Sequence, residues 1–260
     1  MTTTTTTIDN EPDNTNLDTY WHKTRRPLTC LVFLIPLLTL YEVGVMWAAK
    51  NGSDVESVQN GADSWMRWVI EQLGFNPTYV LPFVILLIFT CWQIWTRESW
   101  RMDGEVMLGM LGESLVLAVA LMVIGRVQDL AFHRIEANQV IAALGDSSTT
   151  LDRLVSFVGA GIYEETLFRL LLLPAVYFSL KAIGIPSPLS MTMAMTASAL
   201  AFAGAHHVGP MAEQFVWFNF IFRWIAGLFF ASVFVMRGFG VAVGAHAAYD
   251  ILVGVLQFQL

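Results

Sequence analysis

Two pairs and two single ionisable residues in the C-terminal half of the chain have types and spacing suited to acid–base chemistry. The two pairs are Glu165 with Arg169 and His246 with Asp250. The two single residues are Glu164 and His206. Residues four apart share a face of an α-helix, so Glu165 can pair with Arg169, and His246 can lie beside Asp250. Carboxylates and imidazoles are the side chains that most often move protons in enzymes.

The unpaired carboxylate of this group is the candidate general base. On a helix Glu164 points about 100° away from Glu165 and lacks the arginine partner. A carboxylate without a counter-ion in apolar surroundings is poised to accept a proton. The alternative is a structural ion-pair network that holds helices together. Three separate helices must converge before Glu164, His206 and His246 can act together.

The elements that carry these residues are apolar enough to lie in a membrane. The chain has 260 residues, of which 55% are hydrophobic and 13% charged, and its mean hydropathy is +0.57. A soluble domain carries about 25% charged residues. We therefore predict an all-α, polytopic transmembrane helix bundle. The net charge of −7 offers no basic surface for nucleic acid.

A bilayer-spanning helix needs about 20 mostly apolar residues, and seven segments fulfil this requirement. They are residues 27–49, 78–97, 107–125, 154–180, 187–205, 214–236 and 238–260. The fold expected is a bundle of about seven spans, with the active site inside its C-terminal four-helix half.

The remaining segments divide the chain into three parts. Residues 1–26 are a polar, threonine-rich stretch, for which we predict a disordered tail. Residues 27–149 form an N-terminal transmembrane region with interfacial loops. In one loop Trp65, Trp68 and Leu73 have helical spacing, which suggests an amphipathic helix at the membrane surface. Residues 150–260 are the predicted catalytic helix bundle.

Ionisable residues inside spans are informative because each costs about 2.5–3.5 kcal/mol at mid-bilayer on insertion scales. Glu42 and Glu113 occur singly on their own spans, and for these we expect hydrogen bonds to neighbouring helices. Intramembrane carboxylates are also typical of proton-coupled transporters. A transporter would be expected to show an inverted repeat between its halves, and we find none.

The three polar motifs resemble those of a known family. EETLFR at 164–169, FAGAH at 202–206 and HAAYD at 246–250 are similar to the EExxxR, FxxxH and HxxxN/D motifs of the CAAX prenyl protease and bacteriocin-processing family, in the same order. Arg223 and Gly227 lie where that family has a weaker fourth motif. The resemblance covers residues from about 150 to 254.

This resemblance implies an intramembrane endopeptidase. Glu164 and His206 would activate a water molecule for attack on the scissile carbonyl group. His246 and Asp250 would hold the oxyanion and orient the peptide, while Glu165 and Arg169 would support Glu164. The alternative within the same fold is a non-catalytic scaffold or immunity protein.

Asp250 departs from the branch of the family that cleaves prenylated proteins, which typically has asparagine at this position. An ionised carboxylate repels an oxyanion. Asp250 is therefore protonated, orients His246, or helps to hold a metal. The last possibility leads to a zinc protease with Glu164, His206 and His246 as ligands. No HExxH pair is present, and we expect a mechanism without a cofactor, with zinc as the alternative.

The sequence thus predicts a multi-pass integral membrane protein, in the plasma membrane if the source is bacterial. Its expected partners are membrane lipids and a hydrophobic or lipid-anchored peptide or protein substrate, and nucleic acid is excluded.

Overall fold

The computed structural model describes residues 20–50, 61–132, 149–208 and 212–255, and these form a helical bundle without strands. Its N-terminal helices are α1 (Pro27–Lys50), α2 (Gly61–Gln72), α3 (Pro77–Thr96) and α4 (Gly104–Ala131). The C-terminal ones are α5 (Thr150–Glu165), a π-helical segment (Thr166–Leu172), α6 (Leu173–Ala182), α7 (Ser187–Ala205), α8 (Trp217–Arg237) and α9 (Phe239–Gly254).

Four of these helices, α1, α4, α7 and α8, are long and apolar enough to cross a membrane. Residues Val80–Thr96 of α3 and the whole of α9 are shorter apolar helices. The helix predicted over 154–180 is continuous from 150 to 182 but contains the π-helical segment. The prediction of a polytopic all-helical bundle is confirmed, with four rather than seven helices that meet the length requirement within the described residues.

Helix α9 lies at the centre of the bundle, packed against α1, α4, α5 and α8. Small residues make this possible. A Cβ atom on Gly161 of α5 would lie 3.0 Å from the backbone oxygen of Val243 and 2.9 Å from the Cβ of Ala247. Only glycine permits α5 and α9 to approach so closely. As a result, the polar residues of α5 and α9 come within reach of one another.

The start of α5 is set by a capping box. The Thr149 side chain accepts a hydrogen bond from the Asp152 backbone amide, and the Asp152 carboxylate accepts one from the Thr149 amide. This motif satisfies amides that have no partner inside the helix. The beginning of α5 is therefore fixed locally, fifteen residues before Glu164.

The amphipathic helix predicted around Trp65 is present as α2, with its charged side facing the bundle. Asp63 and Arg67 are buried, whereas Trp68 and Leu73 are exposed at 60% and 67%. An exposed apolar face on a membrane protein is a surface for lipid. The sequence also suggests a second amphipathic stretch over residues 127–144. Its first residues belong instead to α4, which continues to Ala131, and residues 133–148 lie outside the described residues.

Residues 20–24 form a helical turn inside the segment predicted as a polar tail. The Tyr20 hydroxyl donates to Glu113 at 2.8 Å, and the Arg26 guanidinium lies 3.2 Å from Glu98. This end of the tail therefore packs on the bundle, which its polar composition did not indicate. Residues 1–19 lie outside the described residues.

Candidate active site

Four of the predicted residues line one cavity of about 640 Å³. Glu164 stands at the end of α5, His206 directly follows α7, and His246 and Asp250 lie one turn apart on α9. These side chains come from three helices that are distant in sequence, and the bundle brings them to a common space. Glu165 and Arg169 lie behind the cavity wall, both fully buried.

His246 has a separate carboxylate partner for each ring nitrogen. Its Nδ1 lies 2.8 Å from Oε1 of Glu165. Its Nε2 lies 3.5 Å from Asp250 and 3.8 Å from Glu164. An ionised carboxylate can only accept, so Nδ1 donates its hydrogen to Glu165 and Nε2 faces the cavity.

The ring of Phe230 fixes the plane of the His246 imidazole. The two rings are stacked, with centroids 4.5 Å apart and an interplanar angle of 11°. Phe230 lies on α8, so this contact connects α8 to α9. Stacking on one side and the Glu165 hydrogen bond at one nitrogen leave His246 little freedom to rotate.

Glu165 and Arg169 form the ion pair that their spacing predicted. Oε1 of Glu165 lies 3.1 Å from Nη1 of Arg169. The Arg169 guanidinium also donates to the backbone oxygen of Gly227 at 3.2 Å and lies over the Phe202 ring, 4.5 Å from its centroid. Arg169 thus joins the π-helical segment to α7 and α8. Such π-helical turns are frequent at functional sites.

His206 is held by its own helix. Its Nδ1 lies 2.8 Å from the backbone oxygen of Phe202, to which it donates, so Nε2 carries the lone pair. His206 follows the last residue of the span formed by α7. Burial, and then the charge of Arg223, lower its pKa to about 4. A neutral imidazole with a free Nε2 can accept a hydrogen bond at pH 7.

Comparison with known families concerns the same part of the chain. Residues 146–252 match the family described as type II CAAX prenyl endopeptidase Rce1-like. The match confirms the resemblance inferred from the three motifs and includes all six predicted site residues. We call the matched segment the Rce1-like region. No curated protein and no solved structure matches the chain.

The Rce1-like region implies an intramembrane CAAX-type endopeptidase, and the apolar helices indicate an integral membrane protein. The 145 residues before it lie outside the match. The Rce1-like region contains α5 to α8 and most of α9, and α5, α7, α8 and α9 all contribute residues to the cavity lining.

The sequence did not indicate two of the contacts that His246 makes at this site. Glu165 was predicted to pair with Arg169, and its second contact, to His246, had no signal because it joins residues 81 positions apart. Phe230 is one of 18 phenylalanines, and nothing in its spacing distinguishes it. Arg223, noted only for its position near a weaker motif, lines the cavity.

The zinc alternative requires three donor groups around one point. Within the described ranges of the chain, no three His, Cys, Asp or Glu side chains are placed to hold a metal ion together. Glu164, His206 and His246 all face the cavity but do not form such a cluster. The ligand set therefore does not fit a zinc ion in this arrangement of side chains.

The two single carboxylates of the N-terminal half lie outside the cavity lining and have partners, as expected. Glu42 lies 3.2 Å from Nη2 of Arg67 and contacts the Tyr163 hydroxyl. Glu113 pairs with Arg237, whose Nη2 lies 2.8 Å from its Oε2. Both connect helices, so their geometry is that of structural ion pairs.

Proposed function

We propose that this protein is an intramembrane endopeptidase that hydrolyses peptide bonds of membrane-associated proteins or peptides with a water molecule activated by Glu164 and His206. The observation that supports the proposal is the convergence of Glu164, His206, His246 and Asp250 on one cavity of about 640 Å³. Ionisable side chains are costly inside a membrane, so four of them around one cavity indicate a function beyond contact with lipid.

In this mechanism Glu164 and Nε2 of His206 hold the water between them. The water oxygen attacks the scissile carbonyl carbon while its proton passes to Glu164. The same proton then goes to the amide nitrogen as the carbon–nitrogen bond breaks. A single carboxylate thereby acts first as general base and then as general acid.

His246 is the proposed oxyanion donor. In its protonated form, balanced by the carboxylates around it, Nε2 carries a hydrogen that points into the cavity. Asp250 lies 3.5 Å from the same nitrogen and orients it. This role removes the difficulty of an aspartate facing an oxyanion, because the imidazole meets the oxyanion in its place. Glu165 and Arg169 position His246 from behind.

The walls of the cavity suit an apolar substrate. Phe157, Phe222 and Val253 line it together with Phe230. We propose a hydrophobic or lipid-anchored peptide or protein as substrate, lipids as surroundings, and the plasma membrane as location in a bacterium. Since the chain has a net charge of −7, nucleic acid is not among the expected partners.

We further propose that no metal takes part, because the donor groups do not fit a zinc site. Activity should survive dialysis against a strong chelator and show no increase on adding Zn²⁺. Loss of activity with the chelator, restored by Zn²⁺, would instead support Glu164, His206 and His246 as ligands.

The test of the proposed function compares wild type with Glu164→Gln at matched expression in the native host lacking its own copy. New C-termini across the membrane proteome are then measured by mass spectrometry. Glu105→Gln is the matched control, since Glu105 is exposed at the start of α4. Trimmed termini should appear with wild type and control and be absent with Glu164→Gln. Identical proteomes in all three strains would overturn the proposal in favour of a non-catalytic scaffold.

A further inference from the structure

One residue at the end of a helix has a backbone conformation that its side chain disfavours. Arg97 directly follows α3 and has a φ of 54°. Elsewhere in the part of the chain that the structure describes, a positive φ occurs only at Gly74, Gly184 and Gly238, each within two residues of a helix end. Glycine is the usual residue there because it has no Cβ atom. An exposed arginine at such a position indicates a function for its side chain.

Arg97 is one of three exposed arginines without a counter-ion at this end of the bundle. The others are Arg25, before α1, and Arg101, in the loop between α3 and α4. No described residue forms an ion pair or a side-chain hydrogen bond with any of the three guanidinium groups. These groups can therefore meet an external anion, and we call the surface that they form the arginine face.

Contacts between neighbouring residues bring the three arginines to one surface. Lys23 pairs with Asp103, and Nε of Arg26 lies 3.2 Å from Glu98. Between these pairs the fully buried side chain of Gln93 donates to the backbone oxygen of Glu98 at 2.8 Å and accepts from a backbone amide of α1 at 3.0 Å. Each arginine lies within two residues of one of these contacts. The turn before α1 and the loop after α3 therefore form one platform.

The arginine face lies where membrane-spanning helices begin. Helix α1 starts two residues after Arg25, and α4 starts three residues after Arg101; both are long and apolar enough to cross a membrane. Trp95 and Trp100, on either side of Arg97 in the sequence, are exposed at 87% and 62%. Tryptophan rings favour the headgroup level of a bilayer, and arginines beside a span attract anionic headgroups. The arginine face thus lies at the depth of lipid phosphates.

We propose that the arginine face binds the phosphate group of an anionic phospholipid, and that this contact explains an arginine at position 97 in place of glycine. A guanidinium presents parallel donors that match phosphate oxygens. The whole chain has a net charge of −7, so the attraction is local to this surface. The exposed indoles beside the arginines favour a lipid over a soluble anion, because they place the face in the headgroup layer.

The arginine face is separate from the cavity. A Cβ atom on Gly238, just before α9, would lie 3.0 Å from the Cα of Arg25. Asp250, which lines the cavity, lies twelve residues further along α9. Twelve residues of α-helix span about 18 Å. The lipid site therefore goes beyond the proposed endopeptidase function and stands or falls independently of it.

The test measures which lipid the full-length protein retains. Protein purified in detergent is mixed with equal amounts of phosphatidylglycerol and phosphatidylcholine with identical acyl chains, and bound lipids are counted by native mass spectrometry. Both lipids contain a phosphate group, but only phosphatidylglycerol has a net charge. Wild type should retain phosphatidylglycerol at least tenfold more often, and raising the salt concentration should reduce this preference because it screens the charges.

Each arginine beside an anionic headgroup is expected to contribute about fivefold to the affinity. Arg97→Gly should therefore lower the preference about fivefold, and the triple variant Arg25→Gln, Arg97→Gly, Arg101→Gln should bring it near one. Arg97→Lys keeps the charge and should keep most of the preference. Arg126→Gln is the matched control, since it removes an arginine near the other end of α4, and it should behave as wild type.

The stability of Arg97→Gly separates lipid binding from a structural role. In detergent without lipid this variant should unfold at the same temperature as wild type or higher, because glycine adopts a positive φ without strain. Weaker lipid retention together with undiminished stability is the combination that a ligand-binding arginine predicts. A lower unfolding temperature with an unchanged lipid preference would give Arg97 a structural role and overturn the proposal.

Equal retention of the two lipids by wild type, or an unchanged preference in the triple variant, would also overturn the inference. Release of phosphatidylglycerol by inorganic phosphate at constant ionic strength would assign the arginine face to a soluble anion instead. The chain before residue 20 contains four acidic residues, namely Asp9, Glu11, Asp13 and Asp18. If phosphatidylglycerol binds only after these are changed to their amides, the arginine face binds this segment of the chain, and the lipid proposal is wrong.

Discussion

Oε1 of Glu165 lies 2.8 Å from Nδ1 of His246 and 3.1 Å from Nη1 of Arg169. One carboxylate oxygen therefore joins the central helix α9 to the π-helical segment that follows Glu164. The adjacent carboxylate, Glu164, is left to face the cavity. The two neighbouring glutamates thus have different surroundings. Glu165 lies between His246 and Arg169, whereas Glu164 lines the cavity.

The first prediction concerns Glu165→Gln. The amide keeps the size of the side chain but removes the charge that balances Arg169 and orients His246. Breaking one side of a buried ion pair costs about 3–5 kcal/mol, and mispositioning a group in an active site lowers the rate by about a hundredfold. We expect both a lower unfolding temperature in detergent and a much lower kcat.

Glu113→Gln is the control that separates these two effects. Glu113 also pairs with an arginine, Arg237, but it lies outside the cavity lining. This variant should lose stability while kcat falls less than threefold. If the two variants lose kcat in equal proportion, Glu165 acts only through stability, and its positioning role is wrong.

The second prediction concerns the crossing of α7 and α8. A Cβ on Gly227 would lie 2.9 Å from the Cα of Ala199 and 3.1 Å from its backbone oxygen. These are backbone atoms that cannot move aside, so Gly227→Ala must separate the two helices. Since the Gly227 oxygen accepts from Arg169, the change also disturbs the ion pair behind the site. We expect lower stability and lower activity together.

Gly112→Ala is the matched control for this change, because a Cβ at Gly112 of α4 meets no atom within 4 Å. Alanine is favoured over glycine inside a helix by about 0.5–1 kcal/mol. The control should therefore unfold at the same or a slightly higher temperature in a thermal scan. Equal stability of Gly227→Ala and wild type would contradict the close packing of α7 on α8.

Much of this architecture follows from local sequence features. The apolar runs predict the helices, and the i, i+4 spacing predicts the pair Glu165–Arg169, because both depend on residues near in sequence. We inferred that Glu164, His206 and His246 belong to one site because their three motifs resemble those of a known family and occur in the same order. Their common cavity depends on close packing at Gly161, which spacing alone does not reveal.

The partners of these residues could not be predicted, because they depend on how distant helices rotate. Glu42 was expected to bond to another helix, but nothing identified Arg67 and Tyr163 as its partners. Helix α2 was expected to be amphipathic, yet the sequence does not say that its charged face would turn inward. In a bilayer the apolar face can meet lipid, so the usual inside–outside rule for soluble helices does not apply.

The third prediction tests this inward-facing charge cluster. Nε of Arg67 lies 2.7 Å from Asp63, and Tyr41 donates to the same carboxylate at 2.7 Å. Arg67→Met removes the arginine that pairs with both the fully buried Asp63 and the partly exposed Glu42. The loss should be about 3–5 kcal/mol. Arg126→Met, which breaks an exposed pair with Asp129, should cost less than about 1 kcal/mol. Comparable losses in chemical denaturation would contradict the cluster.

The fourth prediction concerns pH and His206. Its folded-state pKa is lowered from 6.5 to about 4 by burial and by Arg223. The unfolded chain takes up the proton first as the pH falls, so the stability contributed by neutral His206 is fully present above pH 6.5 and is lost between pH 6.5 and about 4. The loss should be about 3 kcal/mol.

His206→Asn cannot titrate, so the difference in unfolding free energy between wild type and this variant isolates the effect from other carboxylates and histidines. The unfolding free energy of wild type should fall relative to that of the variant as the pH is lowered from 7 to 4.5. Arg223→Gln removes one of the two causes of the shift and should reduce the pH dependence while retaining the histidine. Parallel stability curves for wild type and His206→Asn would show that His206 is not held neutral, and would remove the basis for its role as a hydrogen-bond acceptor for the water beside Glu164.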